Sequence, residues 1–291
     1  MRRFMSTMAQ RSPRRFAPLR AQAAAASTNS SSSNSEAPKL QGIVFDVDGT
    51  LCKPQNHMFG QMRQVLGIPK SVDILEHVYS LPPGAGPGGQ EEAMQSIRDI
   101  ESAMMVEQEA QPGLAELMAY LDSRDVRKGI CTRNFAAPVE HLLGKFLEGS
   151  VIAPVVTRDF RPPKPDPAGI LFIAKTWGLV RAASSAPGAA SAVADDAAAG
   201  DGPVERAEKA GARETDSAGE VTQVGDASRL IMVGDSIDDM TAGRRAGAAT
   251  VLLVNDVNRH LADHEHTDLV IEKLDELIGV LEEGFTGRSI S

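Results

Sequence analysis

Asp46 and Asp48 stand one residue apart in I-V-F-D-V-D-G-T (43–50), directly after an apolar run. An unpaired charge at the end of a buried strand is expensive, so something must offset the pair. Three other stretches supply candidates. Thr132-Arg133-Asn134 follows the run ending at Cys131, Lys164 is locked between prolines in R-D-F-R-P-P-K-P-D-P (158–167), and G-D-S-I-D-D-M (234–240) adds Asp235 and Asp239. Four carboxylates at one edge repel one another, which implies a bound cation. Hard oxygens without clustered His or Cys select Mg²⁺ rather than zinc. Lys164 adds a fixed positive charge, Thr132 a hydroxyl, and Gly49 and Thr50 backbone N–H groups in a tight turn. Together these make an anion pocket that suits phosphate. A carboxylate inside such a pocket makes sense if it attacks the phosphorus. The neighbouring acid can protonate the leaving oxygen and later deprotonate a water.

The elements that position these groups follow from periodicity. Ile43–Phe45, Lys128–Cys131, Val151–Val156, Leu230–Val233, Thr250–Val254 and Leu269–Ile271 read as short buried strands. Helical patterns cover about 57–66, 71–79, 90–110, 114–123, 135–146, 167–177, 237–246 and 274–281. Alternation of this kind predicts an α/β fold, a three-layer Rossmann-like parallel sheet covered on both faces. Ligands bind such sheets at the carboxyl ends of the strands, where the candidate residues fall.

The chain has 291 residues and a formal net charge of −9, which argues against a nucleic-acid or anionic-membrane partner. No apolar run approaches the ~18 residues of a membrane span. Two cysteines, Cys52 and Cys131, make no disulfide framework. Two segments stand apart in composition. Residues 1–35 hold six arginines and no acid, so 1–36 is expected to be disordered, with the composition of an organelle transit peptide, mitochondrial by preference over a cytoplasmic tail. Residues 182–228 hold nine acids and three bases among Ala, Gly and Ser, and read as a disordered low-complexity insertion. Stretching a loop from ~6 to ~48 residues costs only about 1.8 kcal/mol of closure entropy. The catalytic core is then 37–54 with 112–181 and 229–291.

The order strand-D-x-D-G-T, strand-T, K-P, strand-G-D-S-x-x-D is similar to that of the haloacid dehalogenase (HAD) superfamily, in its phosphatase branch. The resemblance runs from Leu40 to about Leu281, apart from the insertion. It implies that Asp46 is the nucleophile and a Mg²⁺ ligand. Asp48 would be the general acid/base and bind Mg²⁺ through its carbonyl. Thr132 would bind the phosphoryl group, Lys164 would hold Asp46 and the phosphoryl oxygens, and Asp235 would be a Mg²⁺ ligand supported by Asp239. Asp48 points to phosphate-ester chemistry, because dehalogenases of the family lack an acid there. Residues 55–111 resemble the small α-helical cap inserted after the first strand in phosphoglycolate-phosphatase-like members, broken here by the flexible-looking L-P-P-G-A-G-P-G-G (81–89). His57, Arg63, Lys70, His77 and Arg98 are cap residues that could meet an anionic substrate. Arg133, fixed beside Thr132, is the better candidate for a second phosphate contact. Met94, Ile97, Met104 and Met105 are expected in the cap core, and Trp177 against the sheet. The leading function is hydrolysis of a small phosphate ester through an aspartyl-phosphate on Asp46. A catalytically idle binding protein and a phosphomutase are the alternatives, the latter disfavoured by the short cap.

Overall fold

The computed structural model describes residues 13–19, 37–183 and 223–288. Six strands, β1 (Gly42–Phe45), β2 (Lys128–Cys131), β3 (Val155–Val156), β6 (Leu230–Gly234), β7 (Ala249–Leu253) and β8 (Leu269–Ile271), form one sheet in the order β3-β2-β1-β6-β7-β8. Every pair in it is parallel. Alternate residues serve opposite faces. Ile43 and Phe45 join one core cluster and Val44 the other, and Ile231 and Val233 oppose Leu230 and Met232 in the same way. The first face is covered by α4 (Leu114–Ser123), α5 (Ala136–Phe146) and α8 (Glu276–Glu283). The second is covered by α6 (Ala168–Thr176) and α7 (Ile237–Ala246), with Trp177 packed beside them. Strand order reverses at β1, so the crevice between β1 and β6 is the switch point where ligands are expected.

Between β1 and α4 rise α1 (Asn56–Leu66), α2 (Ile74–Ser80) and α3 (Gln90–Met104). They share their own apolar cluster of Met58, Met62, Ile74, Val78, Ala93 and Ile97, with Met94 and Met104 against it. Met105 falls outside that cluster, in a 3₁₀ turn over Met105–Glu107. One core residue, Phe135, is buried in the same cluster, so the cap is seated on the core through an aromatic plug. Two connecting strands bind each other at the cap's base: Lys53 N donates to Glu109 O at 2.9 Å and Gln111 N to Leu51 O at 3.0 Å. The 81–89 stretch folds back on α3 rather than hanging free. Gln90 N donates to Pro82 O, Gly89 N to Gly86 O and Gly88 N to the Glu92 carboxylate, which supplies partners around an N-terminus that has no capping side chain.

Three expectations need correction. The strand expected over Val151–Val156 shortens to two residues, because Pro154 has no N–H to give a ladder. The insertion is narrower than 182–228: β4 (Val180–Ala182) and β5 (Gln223–Gly225) close its base as an antiparallel pair, and residues 184–222 lie outside the described residues. Within the tail expected to be disordered, residues 13–19 pack on the core, while the rest of 1–36 lies outside the described residues. Phe16 and Leu19 are buried, the Phe16 ring lies 5.6 Å from that of Phe285, and Arg15 bridges Thr286 antiparallel. Its arginines masked the apolar pair that gives this segment a reason to dock.

Candidate active site

Asp46 leaves the carboxyl end of β1, its N–H donating to Val233 O on the neighbouring strand at 3.0 Å. The next turn is tight: Thr50, Leu51 and Cys52 all direct their N–H groups at Val47 O. Gly49 sits in it with φ +85°, and a Cβ there would lie 2.2 Å from the Asp235 carboxylate. Only glycine allows the Asp46–Asp48 loop and the end of β6 to approach so closely. Gln111, at the cap's base, steadies the loop by donating to Gly49 O at 2.7 Å.

Lys164 Nζ donates to Asp46 Oδ1 at 2.6 Å and also to Asp239, and all three side chains are buried. Asp239 is at the start of α7, in a capping box with Ser236: its carboxylate accepts from Ser236 N at 3.0 Å and Ser236 Oγ at 2.6 Å. Asp235 is held from behind, where Asn258 donates to its carbonyl at 2.7 Å. Carboxylate oxygens of Asp46, Asp235 and Asp239 lie within 4.8 Å of one another. Thr132, buried at the end of β2, donates its N–H to Val156 O, and its hydroxyl accepts from Asn134 N at 3.2 Å. Thus the hydroxyl also organises the turn that follows.

The electrostatics are those of a site short of positive charge. Burial, more than the Lys164 amine opposes, pushes Asp46 up to about 6. Burial and then the Asp46 charge push Asp48 up to about 7. Burial, Asp239 and Asp46 push Asp235 up to about 8. Burial acts against the Lys164 charge, but Asp239 and Asp46 outweigh it and hold the amine above its usual range. The buried Cys52 thiol is pushed up by burial and by Asp48, so it stays protonated, 3.7 Å from Asp48 Oδ1. Burial likewise raises Cys131 to about 12, which leaves both cysteines as inert packing groups.

Two buried oxygens, Asp48 Oδ2 and Thr50 Oγ1, have no hydrogen-bond partner among the described residues. Buried polar atoms rarely stay unsatisfied. Orphaned oxygens beside three clustered carboxylates and one lysine suit a hard divalent cation and a bound anion. Mg²⁺ fits this donor set, with Asp235 and Asp46 Oδ2 open to ligate, whereas Lys164 and Ser236 already engage both Asp239 oxygens.

Arg133 departs from expectation. Its guanidinium is taken up by Asp73, with one contact at 2.7 Å, and by Asp238. Asp73 also caps α2 through Leu75 N and Glu76 N. Arg133 therefore ties cap to core and has little freedom to serve a phosphate. A second tie was not visible in the sequence: buried Glu101 of α3 pairs with buried Arg158. Arg158 also donates through Nε to Arg133 O at 2.6 Å and lies over the Phe135 ring at 4.0 Å. Of the cap cations, His57 faces Met104 and Glu107, and Arg63 reaches Phe59 O.

Acids, lysine and hydroxyl thus meet at four strand ends around the switch-point crevice, and the chain belongs to the HAD-like hydrolase family. The family model described as HAD-hydrolase-like matches residues 205–277. The hydrolase YOR131C of Saccharomyces cerevisiae, itself uncharacterized, is 37% identical over 249 residues, 84% of this chain and 91% of that one. The haloacid dehalogenase-like hydrolase domain-containing protein At2g33255 of Arabidopsis thaliana is 28% identical over 85% of this chain and 86% of its own. Among solved structures, CbbY of Rhodobacter sphaeroides in complex with xylulose-(1,5)-bisphosphate superposes with a TM-score of 0.53 at 16% identity, covering 82% of this chain and 96% of that one.

Proposed function

We propose that this hydrolase cleaves small phosphate monoesters through an aspartyl-phosphate on Asp46. One observation carries the reading: Asp46 and Asp48 stand together at the end of β1, with the Lys164 amine 2.6 Å from Asp46, in a crevice that leaves Asp48 Oδ2 and Thr50 Oγ1 unpartnered. Asp46 attacks phosphorus, and Lys164 holds its carboxylate ionised and aimed. Asp48, pushed up to about 7, is protonated often enough near neutrality to give a proton to the leaving oxygen and can then take one from water. Thr132 Oγ1 and the turn at Gly49–Thr50 receive the phosphoryl oxygens. Mg²⁺, held by Asp46, Asp235 and the Asp48 carbonyl, would supply charge that offsets the carboxylates and the incoming phosphate. The cap, seated through Phe135, keeps bulk water off the reaction and limits substrate size.

Phosphate release from a panel of monoesters, with Mg²⁺ or EDTA, tests this. Mg²⁺-dependent turnover by the wild type and none by Asp46→Asn is the expected result. No turnover on any ester by folded, Mg²⁺-loaded protein would favour a binding protein on the same fold.

A further inference from the structure

We infer that the seam between cap and core carries a second anion site, distinct from the phosphoryl cradle, where Arg98, Arg161 and buried Arg158 take the carboxylate or phosphate head of a small organic molecule. A cavity of ≈ 450 Å³ opens at this seam. The cap contributes Tyr79 and Arg98, and the core contributes Phe135, Arg158 and Arg161. None of Asp46, Asp48, Thr132 or Lys164 lines it. Its volume falls in the range of small-molecule pockets.

The arginines are held by aromatic faces. Arg98 lies 4.5 Å and Arg158 4.0 Å from the Phe135 ring centre, while Arg161 lies 3.5 Å from that of Tyr79. A stacked guanidinium is restrained by the ring but keeps its N–H edge for a planar anion. Arg98 and Arg161 form no ion pair among the described residues, whereas Arg124, Arg133, Arg158 and Arg244 each pair with a carboxylate.

Arg158 supplies an independent indication. It is 5% exposed, Glu101 and Arg133 O use part of its donor set, and Nη1 has no partner among the described residues. A buried charged donor left unmade is costly, and Arg158 lines the cavity, so an anion seated there would draw that donor toward it. Glu91 and Asp159 also line the cavity, and neither forms an ion pair with an arginine among the described residues. They oppose a polyanion and favour a ligand with one anionic head. Because both bodies supply walls, such a ligand fastens cap to core.

Calorimetric titration of the full chain in EDTA with methylphosphonate and with benzoate tests the site. Benzoate has no phosphoryl group for the catalytic cradle. Binding by wild type and by Asp46→Asn, weakened at least about tenfold in Arg98→Gln/Arg161→Gln, is the expected outcome. Equal affinity in wild type and double variant overturns the inference, as does the absence of benzoate binding. Both arginines are exposed, so the double variant should keep its melting temperature; if it does not, Arg161→Gln alone serves. Binding is read without turnover, so this result is separate from the fate of the phosphatase reading. Kinetics then assigns the source of the anion. A KM increase confined to esters with a distal carboxylate marks the substrate's own tail. A change in turnover of every ester on adding benzoate, lost in the double variant, marks a separate effector.

Discussion

The crevice and the seam both use buried charge, and they balance it differently. At the seam, Arg133 meets Asp73 and Asp238, and Arg158 meets Glu101. At the crevice, Asp46, Asp48, Asp235 and Asp239 crowd together, and among the described residues Lys164 is the one cation that pairs with any of them, at Asp46 and Asp239. Paired charges fasten two bodies together; a deficit is tolerable only where a ligand will fill it. Buried pairs contribute little net stability over apolar packing, yet breaking one is severe. Variants of the paired seam residues Arg133, Arg158 and Glu101 should therefore read out in stability, and variants of the crevice carboxylates in chemistry.

The largest expected effect is on chemistry. Asp46→Asn should lower turnover by on the order of 10⁴-fold or more while leaving the melting temperature unchanged or raised, since it removes one member of a repelling cluster. A fall in melting temperature would make Asp46 structural and erase the contrast. Lys164→Met should be the most destabilising single change, by about 3–5 kcal/mol in urea unfolding, because it strands Asp239 and Asp46. Glu101→Gln should cost about 3 kcal/mol by the same measurement, through an unpaired Arg158, with turnover at saturating substrate within about twofold of wild type.

The pH response sharpens the same comparison. Burial first, and then the charges of neighbouring carboxylates, push Asp46, Asp48 and Asp235 up to about 6, 7 and 8, above the ordinary 3.8. The folded state then binds more protons than the unfolded chain, and stability falls as pH rises from about 4 to about 8. Differential scanning fluorimetry should show the gain from Mg²⁺ growing across that window; a constant gain would mean the cation sits elsewhere. The smallest effect belongs to Asp73→Asn, which keeps the helix cap but loses a half-exposed ion pair, about 1 kcal/mol or less.

Much of the crevice was legible because its residues follow apolar runs at short, fixed spacings. The expected bounds of α4, β2, α7 and β8 agree with the observed ones, each set by a compact periodic run. The seam was not legible. Arg133 finds Asp73 and Asp238 at sequence separations of 60 and 105, and nothing local marks such partners. Arg133 therefore looked like an anion contact from its neighbour Thr132. The β4–β5 pair escaped notice because it is short, and β4 is exposed on every residue, so neither alternation nor an apolar run announces it. A lone buried Glu in α3 likewise looks solvated until Arg158 is placed against it.

The Phe16 ring packs at a tilt against that of Phe285, and Phe16 N–H donates to Phe285 O at 2.9 Å. These residues leave the ribosome at very different times. At ~5–20 residues per second the interval is on the order of 10–50 s. Throughout it the sheet can assemble, but the aromatic seat for Phe16 does not yet exist. Residues 13–19 therefore stay accessible during synthesis, until the finished fold draws them in.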